Sequence, residues 1–171
     1  MKDDFRFCPV CAKEMALTSR GGEPRLGCPA CGYIHYFNPA PAAGVLISDG
    51  EGRILLAQRR DEPFAGLWTI PSGFVEYDED IRLTAVRELG EEAGLEVELD
   101  GIHAVESCMD DPRGNTLLVV FRGHVTGGGL KAGDDASDVA FFSLDELPEI
   151  AFDCQKRIIS RLKTAQGTDR F

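Results

Sequence analysis

The sequence has no long apolar run and few basic residues. No hydrophobic stretch in its 171 residues reaches the roughly 20 that a membrane-spanning helix needs. The first residues, MKDDFRFCPV, contain two acids and no apolar segment, so we expect no signal peptide, no membrane partner and a cytoplasmic location. Lys and Arg number 18 against 29 Asp and Glu. Because non-specific nucleic-acid binding relies on basic surface, nucleic acid is not an expected partner.

The net charge of −11 would suit a protein that recruits divalent cations, although solubility alone explains it equally well. No internal repeat is visible beyond two Cys-x-x-Cys pairs, and no long low-complexity segment occurs. Residues 1–37 are rich in Cys, Gly and Pro and hold too few aliphatic side chains to build a core unaided. The Asn-Pro-Ala-Pro segment at 38–41 marks a boundary. We therefore predict a small module at 1–37 and a larger domain at 38–171.

Four cysteines of the small module are spaced as in a zinc site. Cys8 and Cys11 form one Cys-x-x-Cys knuckle, and Cys28 and Cys31 form the second, with sixteen residues between the knuckles. Each knuckle aims two thiolates at one point, and two knuckles complete a tetrahedron around Zn²⁺. Four protein ligands leave no open position, so the predicted zinc is structural. A redox role for one pair would not explain the other, and we expect nearby His35 to be a surface or packing residue.

Cys108 and Cys154 stand apart from these pairs. In a reducing cytosol disulfides are rare, and an isolated free cysteine is usually a small buried apolar residue. We therefore expect both to be buried, unpaired thiols.

After residue 41 the pattern mixes strands and helices. The predicted strands cover residues 42–48, 53–60, 67–71, 95–109, 115–126 and 139–143, and the predicted helices cover 78–94 and 153–165. Asp78 is the expected N-cap of the first helix, and Gly94 is its expected stop. A strict βαβ repeat is missing, so we predict an α+β or layered α/β sandwich.

The first predicted helix carries clustered carboxylates. At about 100° per residue, Glu88, Glu91 and Glu92 share one arc of the helix, beside an apolar stripe that packs inward. Like charges three and four residues apart repel, and a divalent cation would relieve that repulsion. Dense oxygen ligands suit Mg²⁺ or Mn²⁺, which are normally shared with substrate phosphates. Arg87 could orient a carboxylate. An isolated ExxEE is usually only a solvated face, so the surrounding residues decide.

Those surrounding residues resemble the signature of the Nudix hydrolases. The match consists of Gly73, then Glu79, then the run Arg87-Glu88-Leu89-Gly90-Glu91-Glu92-Ala93-Gly94-Leu95, at every specified position. The resemblance spans about 40–165. It implies an αβα sandwich with a mixed sheet, in which this box forms a loop–helix–loop, and hydrolysis of a nucleoside diphosphate linked to another moiety.

The resemblance also implies roles for the residues of the box. Glu88 and Glu92 correspond to the central metal ligands, with Glu91 beside them. The carbonyl of Gly73 commonly joins the metal shell. Arg87 resembles the orienting arginine, and Glu79 resembles the residue that steadies the box helix.

Residues outside the box narrow the choice of substrate. A zinc ribbon before a Nudix domain resembles the NADH pyrophosphatases, but their Ser-Gln-Pro-Trp-Pro-Phe-Pro signature is missing. The junction Tyr36-Phe37-Asn38-Pro39 is similar to FAD and ADP-ribose pyrophosphatases, and Pro112 lies seventeen residues past Leu95, near the proline that ADP-ribose pyrophosphatases often place there. We expect AMP and a phosphorylated product. The alternatives are a pyrophosphatase that sanitises nucleoside triphosphate pools and a non-catalytic sensor of ADP-ribose.

The general base and the contacts to the nucleotide are less defined. Asp134, Asp135 and Asp138 are candidates for a base, and Asp135 also for a substrate contact, although a solvated turn explains them at least as well. Phe37 and Phe64 could offer a face to the nucleobase, whereas Trp68 is more typical of core. Many relatives in this family are dimers, so a homodimer is possible, but no surface for it is indicated.

Overall fold

The computed structural model describes residues 5–133 and 135–168. The chain divides into two compact units, with the boundary between Asn38 and Pro39. No helix in these ranges is long and apolar enough to cross a membrane.

The first unit is a three-stranded antiparallel sheet with a very small core. Its strands are β1 (Ala16–Arg20), β2 (Glu23–Gly27) and β3 (Ile34–His35), paired in the order β1-β2-β3. The buried core is limited to Cys8, Met15 and Cys28, with a few partly buried neighbours. That core is small, as the composition of this segment predicts, so a metal would have to contribute to its stability. The ring of His35 packs against Phe5, with centroids 4.2 Å apart, which agrees with its predicted packing role.

The second unit contains two sheets. Its strands are β4 (Ala40–Ile47), β5 (Ile54–Arg59), β6 (Trp68–Thr69), β7 (Ser72–Phe74), β8 (Leu95–Cys108), β9 (Thr116–Gly128) and β10 (Ala136–Phe142). Four of them form a mixed sheet in the order β7-β4-β9-β8, in which β4 and β9 run parallel and the other pairs antiparallel. The other three form an antiparallel sheet in the order β10-β5-β6.

Two helices, α1 (Ile81–Ala93) and α2 (Asp153–Thr168), pack on opposite faces of these sheets. Successive side chains of a strand point to opposite faces. In β4, Val45 joins the apolar cluster that contains α1, whereas Leu46 joins the cluster that contains α2. Strands covered on both faces are apolar at nearly every position, as β4 is. The predicted αβα sandwich is confirmed.

The ends of α1 show one correction. The N-cap is Asp80 and not the predicted Asp78, because it is the Asp80 carboxylate that accepts the backbone N–H of Arg82, at 2.8 Å. Residues 76–79 form a turn instead, in which the N–H of Glu79 donates to the carbonyl of Glu76. The predicted stop at Gly94 is confirmed, since this residue adopts a left-handed φ of 69° that side chains disfavour.

The expectation for Cys108 and Cys154 was half wrong. Both are buried, as predicted, but their sulfurs are bonded to each other at 2.07 Å. The two residues are 46 positions apart, at the end of β8 and in the first turn of α2. The packing of α2 on the sheet brings the two residues together, so no short sequence pattern predicts the disulfide.

Candidate active site and zinc cluster

The four ribbon cysteines converge on one point. Their sulfur atoms all lie within 4.8 Å of one another. The sulfurs of Cys8 and Cys31 are 3.6 Å apart, and those of Cys11 and Cys28 are 3.4 Å apart. Tetrahedral zinc with bonds of about 2.3 Å requires sulfur separations of about 3.8 Å, so the four thiols fit a closed zinc site.

The two knuckles are built alike. In each, the residue after the second cysteine donates its backbone N–H to the carbonyl of the first: Ala12 to Cys8, and Gly32 to Cys28. Both of these turn residues have positive φ, 58° for Ala12 and 78° for Gly32. The backbone N–H of Cys31 lowers the pKa of the Cys28 thiol to about 6, whereas, against the lowering effect of the Tyr33 backbone N–H, burial and the neighbouring thiols raise the pKa of Cys31 to about 12, so Cys28 is the first of the two to form a thiolate.

A cleft of about 280 Å³ in the second unit contains three of the four predicted metal ligands. Glu88 and Glu92, one turn apart on α1, line it together with Gly73 of β7. The Glu88 carboxylate lies so close to Gly73 that any side chain at position 73 would overlap it. The close approach explains why this position needs glycine, and it leaves the backbone of residue 73 beside the carboxylates.

Arg87 joins the acids of the box into one network. Its Nε and Nη2 donate to the two carboxylate oxygens of Glu79, at 2.9 and 3.0 Å. Its Nη1 donates to Glu88 and to Glu91, at 2.9 Å each. The bidentate contact with Arg87, supported by the Thr84 hydroxyl, lowers the pKa of Glu79 to about 2. Arg87 thus contacts Glu88 and Glu91 on one side and Glu79 on the other.

The carboxylates of the cleft differ in how far neighbouring groups offset their negative charge. Burial first, and then the charge of Glu88, raises the pKa of Glu92 to about 8, although the backbone N–H of Ser72 donates to its Oε2 at 3.1 Å. Burial also raises the pKa of Glu88, against the effect of Arg87. Two half-buried, mutually repelling carboxylates beside the backbone of Gly73 are a donor set that fits Mg²⁺ or Mn²⁺. Glu91 is more exposed and turns toward Arg87.

Two arginines that the sequence did not single out also line this cleft. Arg59, at the end of β5, donates Nε to the carbonyl of Pro63 at 2.8 Å and lies over the ring of Phe152. Arg113, in the loop after β8, is held by the buried carboxylate of Asp111 at 2.7 and 3.0 Å. Burial, and then the charge of Arg113, lowers the pKa of Arg59, which shows that the two cations repel. An anionic ligand between them would relieve that repulsion.

Two of the three aspartates predicted as a possible general base lie within the described residues. Asp135 lines the cleft, and its charge contributes to the raised pKa of both Glu88 and Glu92. Asp138 instead accepts the backbone N–H of Val139 within β10 at 2.8 Å, and Asp134 lies outside the described residues. Of the two candidates that the structure describes, Asp135 lines the cleft and Asp138 does not.

Phe37 and Phe64, the aromatic residues predicted to contact the nucleobase, are not among the residues that line the cleft. Phe37 belongs to the ribbon unit, where its ring packs edge-on against His35. Phe64 packs against Phe152, and Trp68 packs against Phe142 beside the core, as its core assignment predicted. The aromatic ring that lines the cleft is Phe74, next to Gly73 and partly exposed. Its position directly after Gly73, a specified residue of the box, was the available signal.

Comparisons with known proteins agree with this geometry. Residues 38–162 match the family of the Nudix domain, and residues 6–37 match the family described as Nudix N-terminal, a zinc ribbon. An ADP-ribose pyrophosphatase of Methanocaldococcus jannaschii is 41% identical over 136 residues, which cover 79% of this chain and 80% of that protein.

Further relatives are longer. A NAD-capped RNA hydrolase NudC of Stutzerimonas stutzeri is 30% identical over 146 residues, which cover 85% of this chain. The chain spans about half the length of this relative. Among solved structures, a Nudix hydrolase of Nitrosomonas europaea superimposes with a TM-score of 0.81 at 31% identity, covering 96% of this chain and 94% of the other.

These matches cover both units and include the box, the cleft and the four thiols. The chain belongs to the Nudix family and is a Nudix pyrophosphatase that carries the family's zinc ribbon before the catalytic domain.

Proposed function

We propose that the protein is a divalent-metal-dependent pyrophosphohydrolase that cleaves ADP-ribose, or a related nucleoside diphosphate derivative such as FAD or NADH, to AMP and a phosphorylated product. The observation that carries this proposal is the cleft itself. One wall holds the carboxylates of Glu88 and Glu92, and the cleft is also lined by the guanidinium groups of Arg59 and Arg113.

The residues that would hold the metal are Glu88 and Glu92, with the carbonyl of Gly73 and with Glu91 nearby. When bound, Mg²⁺ or Mn²⁺ supplies charge that polarises phosphorus–oxygen bonds and activates water. Arg87 keeps the Glu88 carboxylate oriented through its contact at 2.9 Å, while Glu79 fixes Arg87 from the other side. The four ribbon thiols would hold Zn²⁺ as a structural ion.

The chain's own cations would bind the pyrophosphate. Arg59 and Arg113 are each anchored through part of the guanidinium, Arg59 on Pro63 and Arg113 on Asp111. Planar, fixed guanidinium groups are suited to phosphate oxygens. Their positive charge in a partly buried cleft would stabilise the negative charge that develops on the phosphoryl group.

Asp135 is our candidate for the general base. It faces the same cleft as Glu88 and Glu92 and is exposed, so it can reach water. A base must lie within hydrogen-bond reach of the attacking water, either directly or through one further water. The predicted role as a substrate contact would use the same carboxylate, and the pH profile of Asp135→Asn separates the two.

ADP-ribose is proposed as the substrate because this chain is similar to proteins that carry that substrate in their names. The relative that shares 41% identity bears the name ADP-ribose pyrophosphatase, and so does a solved structure from Streptococcus suis that is 28% identical with a TM-score of 0.60. Pro112, whose spacing from the box suggested this substrate, lies between Asp111 and Arg113 in the loop that lines the cleft. Its position connects the sequence spacing with the wall that would bind phosphate.

A second candidate substrate is the NAD cap of RNA. Several relatives that match at 30–32% identity are named NAD-capped RNA hydrolases, and they match 84–85% of this chain. The bond to be cleaved is again a pyrophosphate next to AMP, so the same cleft would serve.

The test is a substrate panel with products resolved by chromatography. ADP-ribose, FAD, NADH, NAD-capped RNA and dGTP are each incubated with Mg²⁺ or Mn²⁺, and the control is protein from which loosely bound metal was removed by gel filtration, so that ribbon zinc is retained. AMP from ADP-ribose supports the proposal and ranks the leaving groups. dGMP with pyrophosphate would move the assignment to pool sanitation. Tight ADP-ribose binding without turnover would instead favour a sensor.

A further inference from the structure

The first turn of α2 is tied to the end of β8 at several points. The disulfide joins Cys154 to Cys108. The backbone N–H of Asp153 donates to the carboxylate of Asp110 at 2.8 Å, and Nη2 of Arg157 donates to the carbonyl of Ser107 at 2.9 Å. These contacts attach the start of α2 to residues 107–110.

The residue after Cys154 contacts the segment that precedes Gly73. Gln155 is 2% exposed. Its Oε1 accepts the backbone N–H of Ile70 at 2.7 Å and the hydroxyl of Thr69 at 2.9 Å, and its Nε2 donates to the hydroxyl of Ser72 at 3.4 Å. A buried side-chain amide with its partners satisfied fixes the backbone that it binds. Gln155 therefore holds the segment that leads into Gly73.

That segment in turn holds a proposed metal ligand. The backbone N–H of Ser72 donates to Oε2 of Glu92 at 3.1 Å, and Gly73 follows directly. A short chain of contacts thus runs from the disulfide through Gln155 and Ser72 to Glu92. Loss of a group that orients a metal ligand from behind typically lowers metal affinity by roughly 10- to 100-fold.

We propose that Gln155 is a positioning residue for Glu92 and Gly73, and that the Cys108–Cys154 disulfide sets its position, so that the affinity of the cleft for a divalent cation depends on the redox state of this bond. The inference rests on the metal site of the proposed function. Reduction removes the covalent tie between the first turn of α2 and β8 and leaves the hydrogen bonds of Asp153 and Arg157, so the amide of Gln155 is held less firmly against Ile70 and Ser72.

The disulfide is buried, and the space next to it is where a reductant would have to enter. A second pocket of about 70 Å³, which shares Arg59, Ser72 and Gly73 with the cleft, is lined by both Cys108 and Cys154. A dithiol would act in two steps. One thiolate attacks a sulfur of the disulfide, breaks the S–S bond and forms a mixed disulfide, and the second thiolate then displaces the other sulfur. Two electrons and two protons pass to the protein, giving two thiols and the cyclic disulfide of the reductant.

The ribbon provides an internal control. Its four thiols have no disulfide to lose, so the same dithiol leaves their oxidation state unchanged. Zinc content, measured on the same samples, reports any loss of metal from the ribbon. A change in cation binding with constant zinc would therefore belong to the second unit.

The experiment compares Mn²⁺ binding to oxidised and dithiol-reduced protein by electron paramagnetic resonance, with the redox state checked by intact mass. We expect reduction to weaken Mn²⁺ binding several-fold. Gln155→Met, which keeps the side-chain length but loses the hydrogen bonds, should weaken it roughly tenfold in both states. Cys108→Ala with Cys154→Ala should show the weaker affinity with and without dithiol.

The outcomes separate this inference from the proposed function. Equal Mn²⁺ dissociation constants for oxidised and reduced wild-type protein would overturn the redox inference. A Gln155→Met protein that folds and binds Mn²⁺ as tightly as wild type would overturn the positioning role. If Gln155→Met does not fold, the wild-type comparison still decides the redox dependence. Failure of oxidised wild-type protein to bind Mn²⁺ at all would instead count against the proposed metal site.

Discussion

The zinc ribbon and the carboxylate cleft gather their ligands in different ways. In the ribbon, two knuckles of four residues supply all four thiols, and the turn after each knuckle repeats the same hydrogen bond. In the cleft, α1 supplies Glu88 and Glu92, but β7, β5 and the loop after β8 supply the groups that hold or face them. Local geometry therefore defines the first site, and tertiary packing defines the second.

The difference has a chemical consequence. Four thiols satisfy tetrahedral zinc completely, so the ribbon offers no open position to a substrate. Carboxylates around Mg²⁺ normally leave several positions to water and phosphate. The ribbon should accordingly fail as a folding unit when a ligand is lost, whereas the cleft should lose activity and keep its fold.

The largest expected effect is the loss of ribbon structure in Cys28→Ser. Structural zinc contributes on the order of 10 kcal/mol to the folding of small zinc modules, and the ribbon core is too small to replace it. We expect the variant to lose its bound zinc and the melting transition that belongs to residues 5–38. Substrate turnover should change little. Zinc analysis, calorimetry and the AMP assay measure these quantities. Full zinc content with unchanged melting would contradict the assignment of the four thiols.

Glu92→Gln should show the opposite behaviour. The amide keeps the shape of the side chain but loses the negative charge that binds the cation, so we expect turnover to fall on the order of 100-fold or more. Melting should be unchanged or higher, because a buried carboxylate with a raised pKa is removed. Glu146→Gln, at an exposed position after β10, is the matched control. Wild-type turnover of Glu92→Gln with Mg²⁺ would show that the site is misassigned.

Arg113→Gln should have a smaller effect, mainly on substrate binding. A charge-assisted hydrogen bond contributes about 1.5–3 kcal/mol, so its loss should raise KM for ADP-ribose by roughly 10- to 100-fold. Binding of Mn²⁺ without substrate should be unaffected, because Arg113 is not among the proposed ligands. Arg82→Gln, on the exposed first turn of α1, serves as control. If KM stays at the wild-type value, the pyrophosphate lies elsewhere in the cleft.

The same contrast explains how much of the molecule could be predicted. The knuckles, the carboxylate arc of α1 and the stop at Gly94 depend on spacings within a few residues, and each agreed with the structure. Arg59 lies at the end of β5 and Arg113 lies 54 residues later in the loop after β8, and nothing in their own segments distinguishes them from ordinary surface cations. The disulfide was missed for the same reason. The N-cap moved from Asp78 to Asp80 because capping depends on which carboxylate reaches an N–H.

The smallest expected effect concerns acid stability through Glu79. Arg87 holds the pKa of Glu79 at about 2, below its ordinary value of 4.5. A carboxylate with a depressed pKa in the folded state contributes stability above its unfolded pKa, and that contribution disappears as the pH falls through the folded pKa. Glu79→Gln should therefore unfold at lower denaturant than wild type at pH 6.

The gap between Glu79→Gln and wild type should then narrow as the pH is lowered from 4.5 toward 2, because protonation removes from the wild-type protein what the substitution has already removed. Unfolding midpoints at several pH values measure the gap, and Glu98→Gln, on the exposed side of β8, is the control that should follow wild type throughout. A gap that is constant over this window would mean that Glu79 stabilises the box by packing or by its contact with Thr84, and that Arg87 is held in place without the charge of Glu79.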